Sequence, residues 1–196
     1  MYTLRLAVLA WFTCIAATLG QEAPANIAER QAGPGTTLQS GWYWIRAVAS
    51  PNFHKYLQTK PAYKPGTAIL DSYTTAGQFN IKDGQLIANI GTGADPLYLN
   101  VEKPADLTQR TLATWFNTTK NPFGTFVFQG DAVTWSTPEV KRQNLAAWLV
   151  CKNQALFINT GAYGYQTPSG CADQTVSPHI PIHKVLKTDA GVDSLL

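Results

Sequence analysis

From residue 42 onward, short runs of β-branched and aromatic residues alternate with Gly, Pro, Asn and Asp. That pattern predicts strands separated by tight turns. Twelve runs qualify: 42–49, 54–59, 67–71, 78–82, 85–89, 96–102, 111–116, 124–129, 132–136, 146–151, 155–160 and 162–167. No window keeps a 3.6-residue apolar period for three turns, so few helices are expected. Asp83-Gly84 and Gly130-Asp131 each separate two runs by two residues, the spacing of a hairpin. Three stretches resemble one another: Tyr56-Leu57-Gln58, Tyr98-Leu99-Asn100 and, more loosely, Leu156-Phe157-Ile158-Asn159. Each is a large apolar pair with an amide close behind and a turn after it. Twelve strands in three groups of four predict an all-β fold, a β-trefoil-like barrel. A two-sheet β-sandwich fits the same strand spacing and stays open as the alternative.

The run GWYWIRAVASPNFHKYLQT (41–59) holds the sharpest question. In a strand, Trp42, Trp44, Arg46 and Val48 share one face, and Tyr43, Ile45, Ala47 and Ala49 share the other. The second face is small and aliphatic and reads as core. The tryptophan face is either packed under other parts of the chain or a platform for a sugar ring. Trp148, three residues before Cys151, is expected to be buried.

The chain ends change the chemistry. Arg5 precedes an apolar stretch from Leu6 to Leu19, and Thr18 and Gly20 are small residues before Gln21. This is the pattern of a secretory signal peptide over 1–20. A membrane anchor is the alternative, but the stretch is shorter than the ~20 residues that span a bilayer. No later segment is apolar enough to span. Residues 21–40, rich in Ala, Gly, Pro and Thr, read as a flexible leader, or as a propeptide cut at Arg30. Residues 41–172 form the single all-β domain, and 173–196 an extended C-terminal tail. Signal removal takes Cys14 away and leaves Cys151 and Cys171, which in an oxidising compartment are expected to bond. Two free thiols are the alternative. The formal net charge of +3 leaves no basic surface for nucleic acid. Asn117-Thr118-Thr119 is an N-glycosylation sequon, which would place Asn117 at the surface.

Two resemblances add to this reading. WYWIRAVASPNFHKYLQT resembles the opening of a ricin-B-type β-trefoil repeat, in which a strand ends in a small-residue turn and returns as Lys-Tyr-Leu. The Gln-x-Trp signature of those lectins is missing from all three repeats; Gln154-Ala155-Leu156-Phe157 is the nearest approach. No sugar-site residue is therefore carried over. GTAILDSYTTAGQFNIKDGQLIAN, GTFVFQGDAVTWS and AAWLVCKNQALFINTGAYGYQTPSGCADQTV are similar to small secreted proteins of filamentous fungi, among them IgE-binding-like and PhiA-like cell-wall proteins. Members share a signal peptide, an all-β body and a late Trp-x-x-Cys with a second Cys downstream. Trp148, Cys151 and Cys171 match that pattern. The resemblance implies the fungal wall or the extracellular medium, and no catalytic residue.

Catalytic constellations are hard to find. There is no Gly-x-Ser-x-Gly elbow, and Gly91-Thr92-Gly93-Ala94-Asp95 opens no helix, so it is not a phosphate loop. His179 and His183 have metal-like spacing, but Pro181 between them argues against a shared helix face. Asp71, Asp83, Asp95, Glu102 and Asp131 lie at strand ends; two of them would have to meet in a cleft to act as a glycosidase pair. Neither a cofactor nor a metal is implied. The candidate ligand-binding residues are Trp42, Trp44, Tyr73, Trp135 and Tyr165, with Tyr63, Trp115 and Tyr163 also near turns. The expectation is a secreted, non-catalytic binding or cell-wall-associated protein that holds wall polysaccharide or a host or wall protein. A secreted carbohydrate-active enzyme, or an accessory of a secreted pathway, is the alternative.

Overall fold

The computed structural model describes residues 37–180. The expected signal peptide, Arg30 and the rest of the leader up to 36, His183 and the tail from 181 lie outside the described residues. The described chain is all-β. Its strands are β1 (Trp44–Ala47), β2 (Tyr56–Lys60), β3 (Gly66–Asp71), β4 (Gln78–Lys82) and β5 (Gln85–Asn89). They continue with β6 (Leu97–Val101), β7 (Thr111–Asn117), β8 (Thr125–Gln129) and β9 (Ala132–Ser136). The last are β10 (Trp148–Val150), β11 (Leu156–Asn159), β12 (Ala172–Gln174) and β13 (Val176–His179). The only helical turns among the described residues are two 3-10 segments of three residues, Tyr73–Thr75 and Lys152–Gln154.

Alternation sets the faces. Along β7, Leu112, Thr114 and Phe116 point in and are buried, while Thr111, Ala113, Trp115 and Asn117 are half-exposed. Two-residue turns set the registers. Asp83 and Gly84 both have positive φ (+53° and +74°), the twist that joins β4 to β5 with Lys82 opposite Gln85. Gly130 (φ +56°) opens the β8–β9 turn, which places Gln129 opposite Ala132.

Every strand pair is antiparallel. β2–β3, β6–β7 and β10–β11 are neighbouring pairs, and β7 pairs with both β3 and β11. A bridge between Ile69 and Ala155 brings β3 beside the start of β11. β1 pairs with β2 and β13, and Tyr43, just before β1, bridges Phe79 in β4. β8 and β9 form a separate hairpin, tied to the β4–β5 turn where the Phe126 N–H donates to Gly84 O at 2.9 Å. Elsewhere the strands form one curled sheet, whose main path runs β12-β10-β11-β7-β3-β2-β1-β13. The aromatic side chains Phe79, Phe116, Phe126, Trp135 and Trp148 lie fully buried in a single apolar core. Each such burial is worth about 1.5–3 kcal/mol. Trp148 is buried as expected, stacked on Phe126 with its indole N–H donating to Val133 O at 3.0 Å.

Three sequence expectations change. Residues 162–167 are not a strand. Gly164 (φ +72°) and Gln166 (φ +49°) turn the backbone into left-handed conformations. The Ala162 and Tyr165 carbonyls meet the Arg110 guanidinium instead of a partner strand. Nor does the body stop at 172. β12 pairs with β10 and β13 pairs with β1, so residues 173–179 belong to the sheet rather than to a tail. Pro178 and the polar DQTVSPH run conceal these strands from a propensity reading. The third sequence copy is also displaced. β2 and β6 are the first strands of their pairs, and the strand in that place in the third pair is β10, not Leu156–Asn159.

Polar side chains close the gaps between strands. Gln174 is fully buried, accepts from the Val48 and Ala49 N–H groups and donates to Ala49 O. Arg142 does comparable work between β9, β10 and β11. Its Nε donates to Asn159 O, its Nη1 to Trp135 O and Leu145 O, and its Nη2 to Ala147 O. Burial pushes this guanidinium down to about 10, so it is still charged at neutral pH. Cys151 and Cys171 form a disulfide at the register where β10 runs beside β12.

Candidate functional site

The buried face of β1 carries Ile45 and Ala47, both in the core, so the aliphatic face is the inner one. Trp44 and Arg46 therefore face outward, half-exposed. The neighbouring strands set what surrounds them. Trp44 lies opposite His179 on β13, and Arg46 lies opposite Ser177 on β13 and Tyr56 on β2. Tyr56 in turn lies opposite Asp71 on β3. Directly opposite residues share a face. Four strands thus build one outer face from Trp44, Arg46, Tyr56, Asp71, Ser177 and His179.

Its rings form a triangle. The Trp44–His179, Trp44–Tyr56 and Tyr56–His179 centroids are each 6.4 Å apart. Trp44 and His179 stack with planes 26° apart, and Tyr56 stands edge-on to Trp44 at 84°. His179 is held below the ordinary imidazole range by burial first, then by the charges of Arg46 and His54. His54 sits in a left-handed backbone conformation (φ +65°), its N–H donating to Ala47 O, with its ring edge-on to the exposed Phe53. Among the described residues, Arg46 donates no side-chain hydrogen bond and joins no ion pair. Lys55 is committed elsewhere, to Gln154 Oε1 at 2.7 Å. The face therefore offers the Trp44, Tyr56 and His179 rings and, among the described residues, an unpaired Arg46 guanidinium, with the His54 imidazole nearby.

The other sequence candidates separate. Trp135 is corrected: it is fully buried, packs on Phe123 and donates its indole N–H to Phe123 O at 3.1 Å, so it meets no ligand. Its apolar run AVTWS puts Val133 and Trp135 on the core side of β9. Trp42 is half-buried just before β1, its N–H donating to Gln39 O. Tyr73 is 74% exposed on a 3-10 turn capped by Ser72. Tyr163 and Tyr165 are exposed on a separate loop, 160–171, tied down by Arg110, by a Thr160 Oγ1 bond to Gln109 O and by the disulfide. Tyr63 is half-exposed, and burial raises its phenol. Trp115 is half-exposed on β7 opposite Thr67 and Asn100. Asn117 ends β7, half-exposed, its Oδ1 accepting from the Thr118 N–H at 2.8 Å. Sequence reading put Arg46 on the same face as Trp44 but missed His179 and Tyr56 as their companions. Strand pairing across 135 residues (44 against 179) brings His179 there, and no local signal carries that.

Most of the described carboxylates bond within the fold, while Asp95 lies exposed. Asp71 accepts from Ser72 N–H, Glu102 from Ala113 N–H, and Asp173 from Asn159 Nδ2 and Thr167 Oγ1. Asp106 holds Thr108 and is lowered by those bonds; Glu139 pairs with Lys103 at 2.8 Å. Asp83 and Asp131 occupy the hairpin turns, as expected of turn formers. An open groove between Asn121–Thr125 and Ser136–Glu139 is lined chiefly by turn residues, with the paired Glu139 its one carboxylate. Among the described residues no three His, Cys, Asp or Glu side chains converge, and none of the described helical turns is long and apolar enough to cross a membrane. No family model, curated protein or solved structure matches the chain.

Proposed function

We propose that this chain is a secreted, non-catalytic binding protein of the fungal wall or its surroundings, and that it holds wall polysaccharide on the Trp44–Tyr56–His179 face. The observation that carries the reading is the ring triangle on an outward sheet face. Aromatic rings left half-exposed and rigidly placed suit the flat C–H face of a sugar, while Arg46, His179 and the Tyr56 hydroxyl suit its oxygens. Rigid strands rather than loops hold all four side chains, which lowers the ordering cost of binding.

The proposed scaffold is a β-trefoil. In it β1, β4, β5, β8, β9 and β13 form the barrel and the β2–β3, β6–β7 and β10–β11 pairs form the cap. Supporting this are the Tyr43–Phe79 bridge, the β4–β5 and β8–β9 hairpins, the β1–β13 pairing and the Phe126–Gly84 bond. N-glycosylation at Asn117 belongs to the same proposal, since Thr118 and Thr119 of the sequon are exposed.

The test is retention of the purified secreted protein on insoluble chitin, β-glucan and whole fungal wall, with soluble-sugar competition, alongside Trp44→Ala. Retention that a sugar competes off and that Trp44→Ala abolishes supports the reading. Retention unchanged in Trp44→Ala moves the site elsewhere, and no retention of the wild type refutes polysaccharide binding.

A further inference from the structure

Resting on that binding face, we propose that its ligand is an acidic sugar, a uronate-bearing polysaccharide whose carboxylate meets Arg46 beside the Trp44–His179 stack. Three features of the face select an anion. Arg46 is half-buried opposite Tyr56 and Ser177 and has no hydrogen-bond or ion-pair partner among the described residues. A guanidinium partly removed from water gains most from an acceptor of opposite charge, and its planar fork matches a carboxylate bidentately. Arg46 and His54 converge on His179, since both lower its imidazole after burial, the larger cause. The one carboxylate in the row is Asp71, which lies beyond Tyr56 and is turned to the Ser72 N–H at 2.8 Å. Among the described residues Asp71 forms no ion pair with Arg46, which leaves the guanidinium for an incoming carboxylate. The flat rings then take the sugar ring that carries it.

A pH dependence follows. With the face empty, burial first and then Arg46 on β1 and His54 in the β1–β2 connection lower the His179 imidazole, with Tyr56 beside it on β2 and Asp71 beyond on β3. A bound carboxylate reverses that bias, so binding takes up a proton and strengthens as pH falls from 7 toward 5. A uronate with an acidity like that of an α-carboxyl (pKa roughly 3.5) stays ionised over that range.

The experiment is calorimetric titration of the secreted protein with a galacturonate oligomer, its methyl ester and a neutral β-glucan oligomer, at pH 5 and pH 7. Wild type, Arg46→Gln and Trp44→Ala are compared after confirming equal folding by circular dichroism. The expected result is a preference for the acid over its ester on the order of tenfold or more, larger at pH 5. Arg46→Gln removes the preference of acid over ester; Trp44→Ala loses both. Equal binding of acid and ester overturns the acidic-ligand inference while leaving the binding face standing. An acid preference that survives Arg46→Gln overturns the assignment to Arg46. No binding of any of the three sugars overturns the inference and the polysaccharide reading together.

Discussion

Replacing Arg142 by Met removes the guanidinium and keeps an unbranched apolar stem of similar reach. Trp135 and Asn159 turn their N–H groups to Leu145 O and Ala147 O, and their own carbonyls to the Arg142 fork. Leu145 O and Ala147 O thus keep a second donor in the variant; Trp135 O and Asn159 O lose the one from Arg142. Two buried acceptors left short cost roughly 1–3 kcal/mol each. The cation–π contact with Trp135, at 5.6 Å, adds about 0.5–1 kcal/mol. Against this stands the relief of a buried charge, whose depression to about 10 corresponds to roughly 3 kcal/mol at most. Part of that penalty is already repaid by the four bonds, so the net loss expected is about 2–4 kcal/mol. For a domain of this size each kcal/mol is worth about 2–4 °C in Tm. Arg142→Met should therefore lower Tm by roughly 5–15 °C in calorimetry. Arg142→Lys, with a charge and three donors but no fork, should fall between the two. A Tm within about 2 °C of wild type for Arg142→Met would refute the claim that this side chain fastens β9, β10 and β11.

Trp148→Ala should destabilise the fold by roughly 3–5 kcal/mol, read by denaturant unfolding, because it empties a fully buried site. Trp44→Ala, on the outer face, should cost well under half of that. Reducing Cys151–Cys171, which are 20 residues apart, should lower stability by about 3 kcal/mol; a loss below about 1 kcal/mol in a Cys151→Ser/Cys171→Ser variant would deny the disulfide that role. Gly161→Ala should free the tyrosine loop, since a Cβ there would lie 1.4 Å from Arg110 Nη1 and displace the side chain that holds Ala162 O and Tyr165 O. The readout is faster amide exchange across 162–167 with little change at β1, and unchanged exchange would contradict the clamp.

Most strands are legible because alternation and two-residue turns are local signals. QFNIK and QLIAN flanking Asp83-Gly84 become β4 and β5 without a residue's error. β12 and β13 are not legible, because ADQ and VSPH are short, polar and interrupted by Pro178; they are strands by virtue of β10 and β1 beside them. AYGYQT misleads in the opposite direction. Its alternating aromatics mimic a strand, but Arg110, 52 residues away from Ala162, takes its carbonyls. The same split governs the site. The outward side of β1 follows from Ile45 and Ala47 being the better core, which the sequence pattern contains. Whether that side is covered depends on which residues of β2 and β13 lie opposite Trp44, and a one-residue shift of register would replace His179 with Pro178. Trp135 fails as a candidate for the same reason: proximity to a turn does not reveal which face a tryptophan takes.

The most direct test of the binding face is a two-dimensional NMR titration of the indole N–H signals with solubilised wall polysaccharide. The Trp135 and Trp148 indoles donate to Phe123 O and Val133 O inside the core, and Trp44 lies on the outer face. The account predicts that the Trp44 signal shifts with added ligand while those of Trp135 and Trp148 stay fixed. Saturable binding that leaves the Trp44 indole signal unmoved would contradict it.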